Sequence, residues 1–243
     1  MSKTTTCQRS RRHISLLPSL LTSAALFSGF YAIVAAMKQH YIAAAVAIII
    51  ALFFDGLDGR VARLTQTQSE FGAQLDSLSD MVSFGVAPAL ILYTWSLWGL
   101  GKPGWLAAFL YTICTALRLA RFNTDHESEP RFFCGLSTTA AAGWTASLVW
   151  ACANSHIHGP QIDWLIAIFA LFVAMLKIST IPYYSFKDIN LKRQVPFVII
   201  VLVILVLTFI AFDPADVLLG IGTVYCLHGP VFYLWRRFKR RSH

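Results

Sequence analysis

A succession of apolar stretches dominates the chain, near residues 16–38, 41–64, 73–99, 104–123, 133–154, 162–181, 195–212 and 215–235. Each approaches or exceeds the roughly 20 residues that a helix needs to cross the hydrocarbon of a bilayer. In lipid, every backbone amide and carbonyl must find a partner inside its own segment or in a closed barrel, so runs of this length commit to helices. Pro103, Pro130, Pro160, Pro182 and Pro214 stand at or near the breaks, where a missing amide and a restricted preceding residue suit a helix end. The expected fold is an all-α, polytopic transmembrane helix bundle of about eight spans. Only 13% of the residues are charged, against roughly 25% in soluble domains, so water is not the main solvent and little chain is left for a separate soluble domain.

The basic residues set the orientation. With the N-terminus in the cytoplasm, all of the 20 Lys and Arg except Lys38 and Lys102 fall on the cytoplasmic side, a strong positive-inside pattern. An even number of spans then places both termini in the cytoplasm, with the tail Arg236–Arg241 against anionic headgroups. The net charge of +8 therefore reads as membrane topology, and no nucleic-acid partner is expected. Lys187, Lys192 and Arg193 read as membrane-surface charge, and Asp125, Glu127 and Glu129 as a solvated loop. The first apolar stretch has no cleavage site behind a short core, so it is expected to be a retained helix. The cysteines Cys7, Cys114, Cys134, Cys152 and Cys226 form no C-x-x-C pair and read as apolar fillers. His156 and His158 lie in a loop across the membrane from the acidic residues described next.

Four aspartates break the apolar pattern. Asp55 and Asp58 are spaced i, i+3 and so share one helix face; Asp76 and Asp80, spaced i, i+4, share another. A short cytoplasmic turn near Leu64–Phe71 makes the two helices a hairpin and brings the pairs to similar depth. Tyr41–Phe54 extends only about 21 Å at 1.5 Å per residue, so Asp55 lies near the cytoplasmic end of the hydrocarbon. Acids in a span are costly and repel one another, and Arg60 and Arg63 cannot neutralise all four. Oxygen-only ligation favours hard divalent cations, Mg²⁺ or Mn²⁺, and four carboxylates on two facing helices can hold two metals. An ion pathway, such as a divalent cation transporter, would use the same acids. The small residues Gly56, Gly59, Ala62 and Gly72 favour a bulky ligand close to backbone instead.

The run Asp55-x-x-Asp58-Gly59-x-x-Ala62-Arg63, followed after eight residues by Gly72-x-x-x-Asp76-x-x-x-Asp80, resembles the signature of the CDP-alcohol phosphatidyltransferases. That resemblance implies transfer of a phosphatidyl group from a CDP-linked lipid to an alcohol with release of CMP, two bound divalent cations and a homodimer. By position it makes Asp55, Asp58, Asp76 and Asp80 metal ligands and Asp80 also the base for the acceptor hydroxyl. It places Gly59, Ala62, Gly72, Arg63 and Thr22 at the CDP group. The resemblance covers about residues 16–190, between a basic segment 1–15 and two further helices with a basic tail in 191–243.

Three further stretches are similar to the phosphatidylserine synthase branch of that family: Asp76–Pro88, Leu119–Asn123 and Phe133–Ala142, with a weaker echo in Lys177–Lys187. They imply CDP-diacylglycerol and L-serine as substrates, with glycerol-3-phosphate, inositol or inositol phosphate as alternative acceptors, and a bacterial inner-membrane location. Ser137 stands where the branch has proline, and Ser19 where many members have asparagine. For the serine zwitterion, Arg118 or Arg121 would hold the carboxylate through a bidentate fork. Asn123 and Ser83 would bond the amine or orient the hydroxyl. Arg121 is favoured over Arg118 because it lies in the branch-like R-F-N.

Overall fold

The computed structural model describes residues 16–67, 69–124, 132–157, 159–184 and 197–241. The segment 1–15 with Cys7, the acidic loop at Asp125–Glu129 with Pro130 and Arg131, His158, and Lys187, Lys192 and Arg193 lie outside the described residues. The fold is helical: α1 (Leu16–Met37), α2 (Tyr41–Leu64), α3 (Glu70–Asp80), α4 (Ala87–Trp95), α5 (Lys102–Thr124), α6 (Thr138–Asn154), α7 (Asp163–Ile178), α8 (Phe197–Phe212) and α9 (Pro214–Arg241). Two three-residue strands, β1 (Phe132–Cys134) and β2 (Pro182–Tyr184), pair antiparallel. Five helical rods among the described residues are long and apolar enough to cross a membrane: Leu16–Met37, Tyr41–Leu64, Glu70–Trp95, Lys102–Thr124 and Pro214–Phe232. The expected fifth, sixth and seventh stretches give shorter helices, of 17, 16 and 16 residues.

Local chemistry explains the boundaries. The Ser69 hydroxyl accepts from the Gly72 amide at 3.0 Å and starts α3, with Glu70 in the favourable first turn. Ser137, which replaces a proline of the branch pattern, caps α6 by accepting from the Ala140 amide at 3.1 Å. The expected start of that stretch at residue 133 is corrected to Thr138, because Gly135 adopts φ +82° and turns the chain from β1 into the cap. Between α3 and α4 the helix widens to a π-helical segment, Met81–Val86, and the Ala87 amide reaches back five residues to the Val82 carbonyl. Pro88 supplies the cause: it has no amide, and its ring would meet the Phe84 carbonyl in a regular α-helix.

The core is rich in alanine. Ala32, Ala35 and Ala36 of α1 and Ala44, Ala45, Ala47 and Ala51 of α2 are buried in one cluster with Phe84, Ile91 and Val149. Small side chains let helix backbones approach where apolar burial gives lipid-embedded helices little drive to associate. α1 packs against both α2 and α3, whereas α2 and α3 hardly touch each other. α1 also meets the π-helical segment tightly at Gly29, where an added Cβ would stand 2.6 Å from the Ser83 Cα. Because the obstruction is backbone, Gly29→Val is expected to cost about 1–3 kcal/mol by overpacking. It should appear as a lowered thermal unfolding temperature in detergent, while an exposed α1 change such as Phe30→Leu has little effect.

Candidate active site

The aspartates fall where α2 and α3 diverge. Carboxylate oxygens of Asp55, Asp76 and Asp80 lie within 4.8 Å of one another. Asp58 is set apart from that trio. It is buried, and its Oδ2 accepts from the Thr22 hydroxyl of α1 at 2.7 Å. Thr22 also donates to the Pro18 carbonyl at 3.1 Å, and the Ser79 hydroxyl of α3 donates to the Thr22 carbonyl at 3.3 Å. One α1 residue therefore bonds a carboxylate of α2 through its hydroxyl and a serine side chain of α3 through its carbonyl. Periodicity in α2 and α3 alone does not reveal this third helix; Thr22 entered the sequence reading only through resemblance.

A cleft of about 240 Å³ opens beside the acids. Pro18, Ser19 and Thr22 of α1 form one wall, Asp58, Gly59, Ala62 and Arg63 of α2 a second, and Gly72, Ala73 and Asp76 of α3 a third, with Thr67 and Ser69 at the turn. All five residues expected at the CDP group, Thr22, Gly59, Ala62, Arg63 and Gly72, line this one cleft. A Cβ on Gly59 would meet nothing within 4 Å, so that glycine leaves room rather than allowing helices to touch. Ser19, at the position of the family's asparagine, also faces the cleft; Gly56 does not line it. Asp76 borders the cleft and belongs to the carboxylate trio, so the two features form a continuous site.

The acceptor candidates separate. Arg118 is half-buried near the end of α5, its Nε is buried with no hydrogen-bond partner, and it interacts electrostatically with Asp80. Arg121, one turn on, is exposed. Asn123 is exposed and donates to the Ser77 hydroxyl at 3.0 Å. Ser83 is fully buried, and its hydroxyl donates to the Ala25 carbonyl of α1 at 3.2 Å. Of the two arginines, Arg118 is the more buried, and it interacts electrostatically with Asp80.

The donor set fits divalent cations. Three carboxylates converge, and a fourth is positioned one turn away along α2. Like charges this close repel strongly. Hard oxygen donors of this kind suit Mg²⁺, Mn²⁺ or Ca²⁺.

Comparison with known proteins fits this geometry. Residues 15–176 match the CDP-alcohol phosphatidyltransferase family model. A CDP-diacylglycerol–serine O-phosphatidyltransferase of Helicobacter pylori is 35% identical over 225 residues, covering 92% of this chain and 93% of that protein. A Mycobacterium leprae protein of the same name is 33% identical over 230 residues, covering 91% and 76%. One from Methanocaldococcus jannaschii is 40% identical over 143 residues, covering 58% and 63%.

Proposed function

Because the chain belongs to the CDP-alcohol phosphatidyltransferase family, we propose that it transfers the phosphatidyl group of CDP-diacylglycerol to L-serine, giving phosphatidylserine and CMP. The names of its relatives support the acceptor. The observation that carries the chemistry is the junction of the carboxylate trio with the cleft lined by Gly59, Ala62, Arg63 and Gly72.

In this reading Asp80 takes the proton from the serine hydroxyl, a weak nucleophile until it is deprotonated. The serine oxygen bonds to the phosphorus that carries diacylglycerol, the phosphoanhydride bond breaks and CMP departs. Two divalent cations, Mg²⁺ or Mn²⁺, held by Asp55, Asp58, Asp76 and Asp80, would offset the diphosphate charge and stabilise the leaving CMP. Thr22 holds Asp58 in place, Gly59, Ala62 and Gly72 make room for the nucleotide, and Arg63 stands at its phosphates. Arg118 faces the serine carboxylate, a position its burial beside Asp80 supports over that of Arg121.

The reading includes a topology: eight spans, the catalytic core in residues 16–190, two additional helices and a basic tail after it, and both termini cytoplasmic. The positive-inside distribution supports that orientation. It puts the site at the cytoplasmic face of a bacterial inner membrane, so the acyl chains of the donor stay in lipid while serine arrives from the cytosol. A homodimer follows from the resemblance to the family.

The acceptor is tested directly. Purified protein is expected to release CMP from CDP-diacylglycerol when L-serine and Mg²⁺ or Mn²⁺ are supplied, and not when serine is omitted. Release with glycerol-3-phosphate or inositol, but not with serine, would overturn the acceptor and spare the reaction class.

A further inference from the structure

Lys177 is a buried lysine with no carboxylate partner among the described residues. It sits in the last turn of α7 and is 1% exposed. Its Nζ donates to the Thr115 hydroxyl of α5 at 2.7 Å and stands 3.2 Å from the centre of the Tyr111 ring. An ammonium has three donors. Thr115 accepts one, the ring face attracts the charge only weakly, and no carboxylate among the described residues pairs with it. A buried charge in that state is strongly unfavourable unless an anion completes it.

Arg118 lies one turn beyond Thr115 on α5. It interacts electrostatically with both Lys177 and Asp80, and its buried Nε has no hydrogen-bond partner. The two cations repel each other, so the pair needs an anion more than either does alone. The surrounding fold fixes their location. A Cβ on Gly85, in the π-helical segment that directly follows Asp80, would be 3.2 Å from Thr115 Cγ2, so Thr115 holds Lys177 against that segment. On the other side, the Leu136 amide donates to the Leu176 carbonyl at 3.0 Å. A Cβ on Gly135 would be 2.6 Å from the Lys177 carbonyl. The turn after β1 thus clamps the end of α7.

The position selects the anion. The cleft assigned to CDP is walled by α1, α2, α3 and their turn, and no residue of α5 or α7 lines it. Arg118 belongs to α5 and interacts electrostatically with Asp80, and Lys177 is bonded one turn away on the same helix, at Thr115; both thus lie on the α5–α7 side, apart from the CDP cleft.

We propose that Lys177, together with Arg118, receives the carboxylate of the acceptor amino acid and thereby sets the preference for serine over amino alcohols that lack a carboxylate. This rests on the serine reading above. Lys177 is a specificity-determining residue that touches the part of the acceptor away from the reacting hydroxyl.

The test compares L-serine with serinol, which replaces the carboxylate by a hydroxymethyl group, in CMP release by wild type, Lys177→Met and Lys177→Arg. Lys177→Met is expected to lower kcat/KM for serine by about 30- to 100-fold, mainly through KM, as the loss of a charged hydrogen bond implies. It should leave kcat/KM for serinol and KM for CDP-diacylglycerol nearly unchanged, with partial recovery in Lys177→Arg. With CDP and Mg²⁺ present, serine should raise the unfolding temperature of wild type but not of Lys177→Met, a readout that stands even if serinol is not turned over. Equal losses with both acceptors, or an unchanged KM and thermal shift for serine, would overturn the proposal. If Lys177→Met fails to fold, Arg118→Gln tests the other half of the pair by the same ratio and thermal shift. Absence of CMP release from wild type with serine would instead overturn the serine reading itself.

Discussion

Asp80→Asn is expected to fold, to bind CDP and to lose at least about 1000-fold of turnover, within the range that positioned general bases contribute. The substitution keeps the size and planarity of the side chain but removes its charge and its capacity to take a proton. Its surroundings make that loss decisive. Asp80 closes α3 immediately before the π-helical segment and shares the carboxylate trio with Asp55 and Asp76. Of the trio it is the member with which Arg118 interacts electrostatically, the arginine proposed above to meet the acceptor. If Asp80 takes the serine proton, the loss lies in the chemical step: single-turnover CMP release slows while protection by CDP against thermal unfolding is retained. The neighbour Ser79→Ala, which removes only the hydrogen bond to the Thr22 carbonyl, should cost far less. Near-normal single-turnover rates in Asp80→Asn would place the base elsewhere.

The contrast between Asp80 and Arg118 also marks how far the sequence could be read. Regular spacing is local, so i, i+3 and i, i+4 intervals placed each carboxylate pair on one helix face before any tertiary contact was known. The same regularity predicted that Gly59, Ala62 and Gly72 lie along those faces, and they line the cleft together. What spacing could not supply was the relation between helices distant in sequence. Thr22 meets Asp58 across 36 residues and Lys177 meets Thr115 across 62, and no periodicity encodes either contact. Arg121 is favoured in the sequence because it belongs to a recognisable string, whereas the half-burial of Arg118 and its interaction with Asp80 are tertiary properties that no string encodes. Lys177 entered the sequence reading as one more positive charge on the cytoplasmic side; its burial is a property of α5 and α7 packing. The π-helical segment was similarly hidden, although Pro88 is its visible cause.

Removal of divalent cations is expected to abolish turnover altogether, to below about a thousandth of the replete rate, the scale of several kcal/mol of lost charge stabilisation. Asp55, Asp76 and Asp80 converge within 4.8 Å of one another and Asp58 is hydrogen-bonded by Thr22, so their like charges repel unless cations offset them. A nucleotide diphosphate entering the adjoining cleft would add negative charge to this cluster, so without cations the donor should bind poorly as well as react slowly. Chelation should therefore eliminate CMP release and also the stabilisation by CDP, and Mg²⁺ or Mn²⁺ should restore both. Asp58→Asn should shift the metal concentration needed for CDP protection upward, since that carboxylate faces the nucleotide cleft. Thr22→Val should do so more weakly, because it leaves the Asp58 carboxylate in place and removes the hydroxyl that bonds it and the Pro18 carbonyl. Full CMP release in a chelated preparation would mean that the four aspartates do not act by holding a cation, and CDP protection surviving chelation would separate nucleotide binding from them.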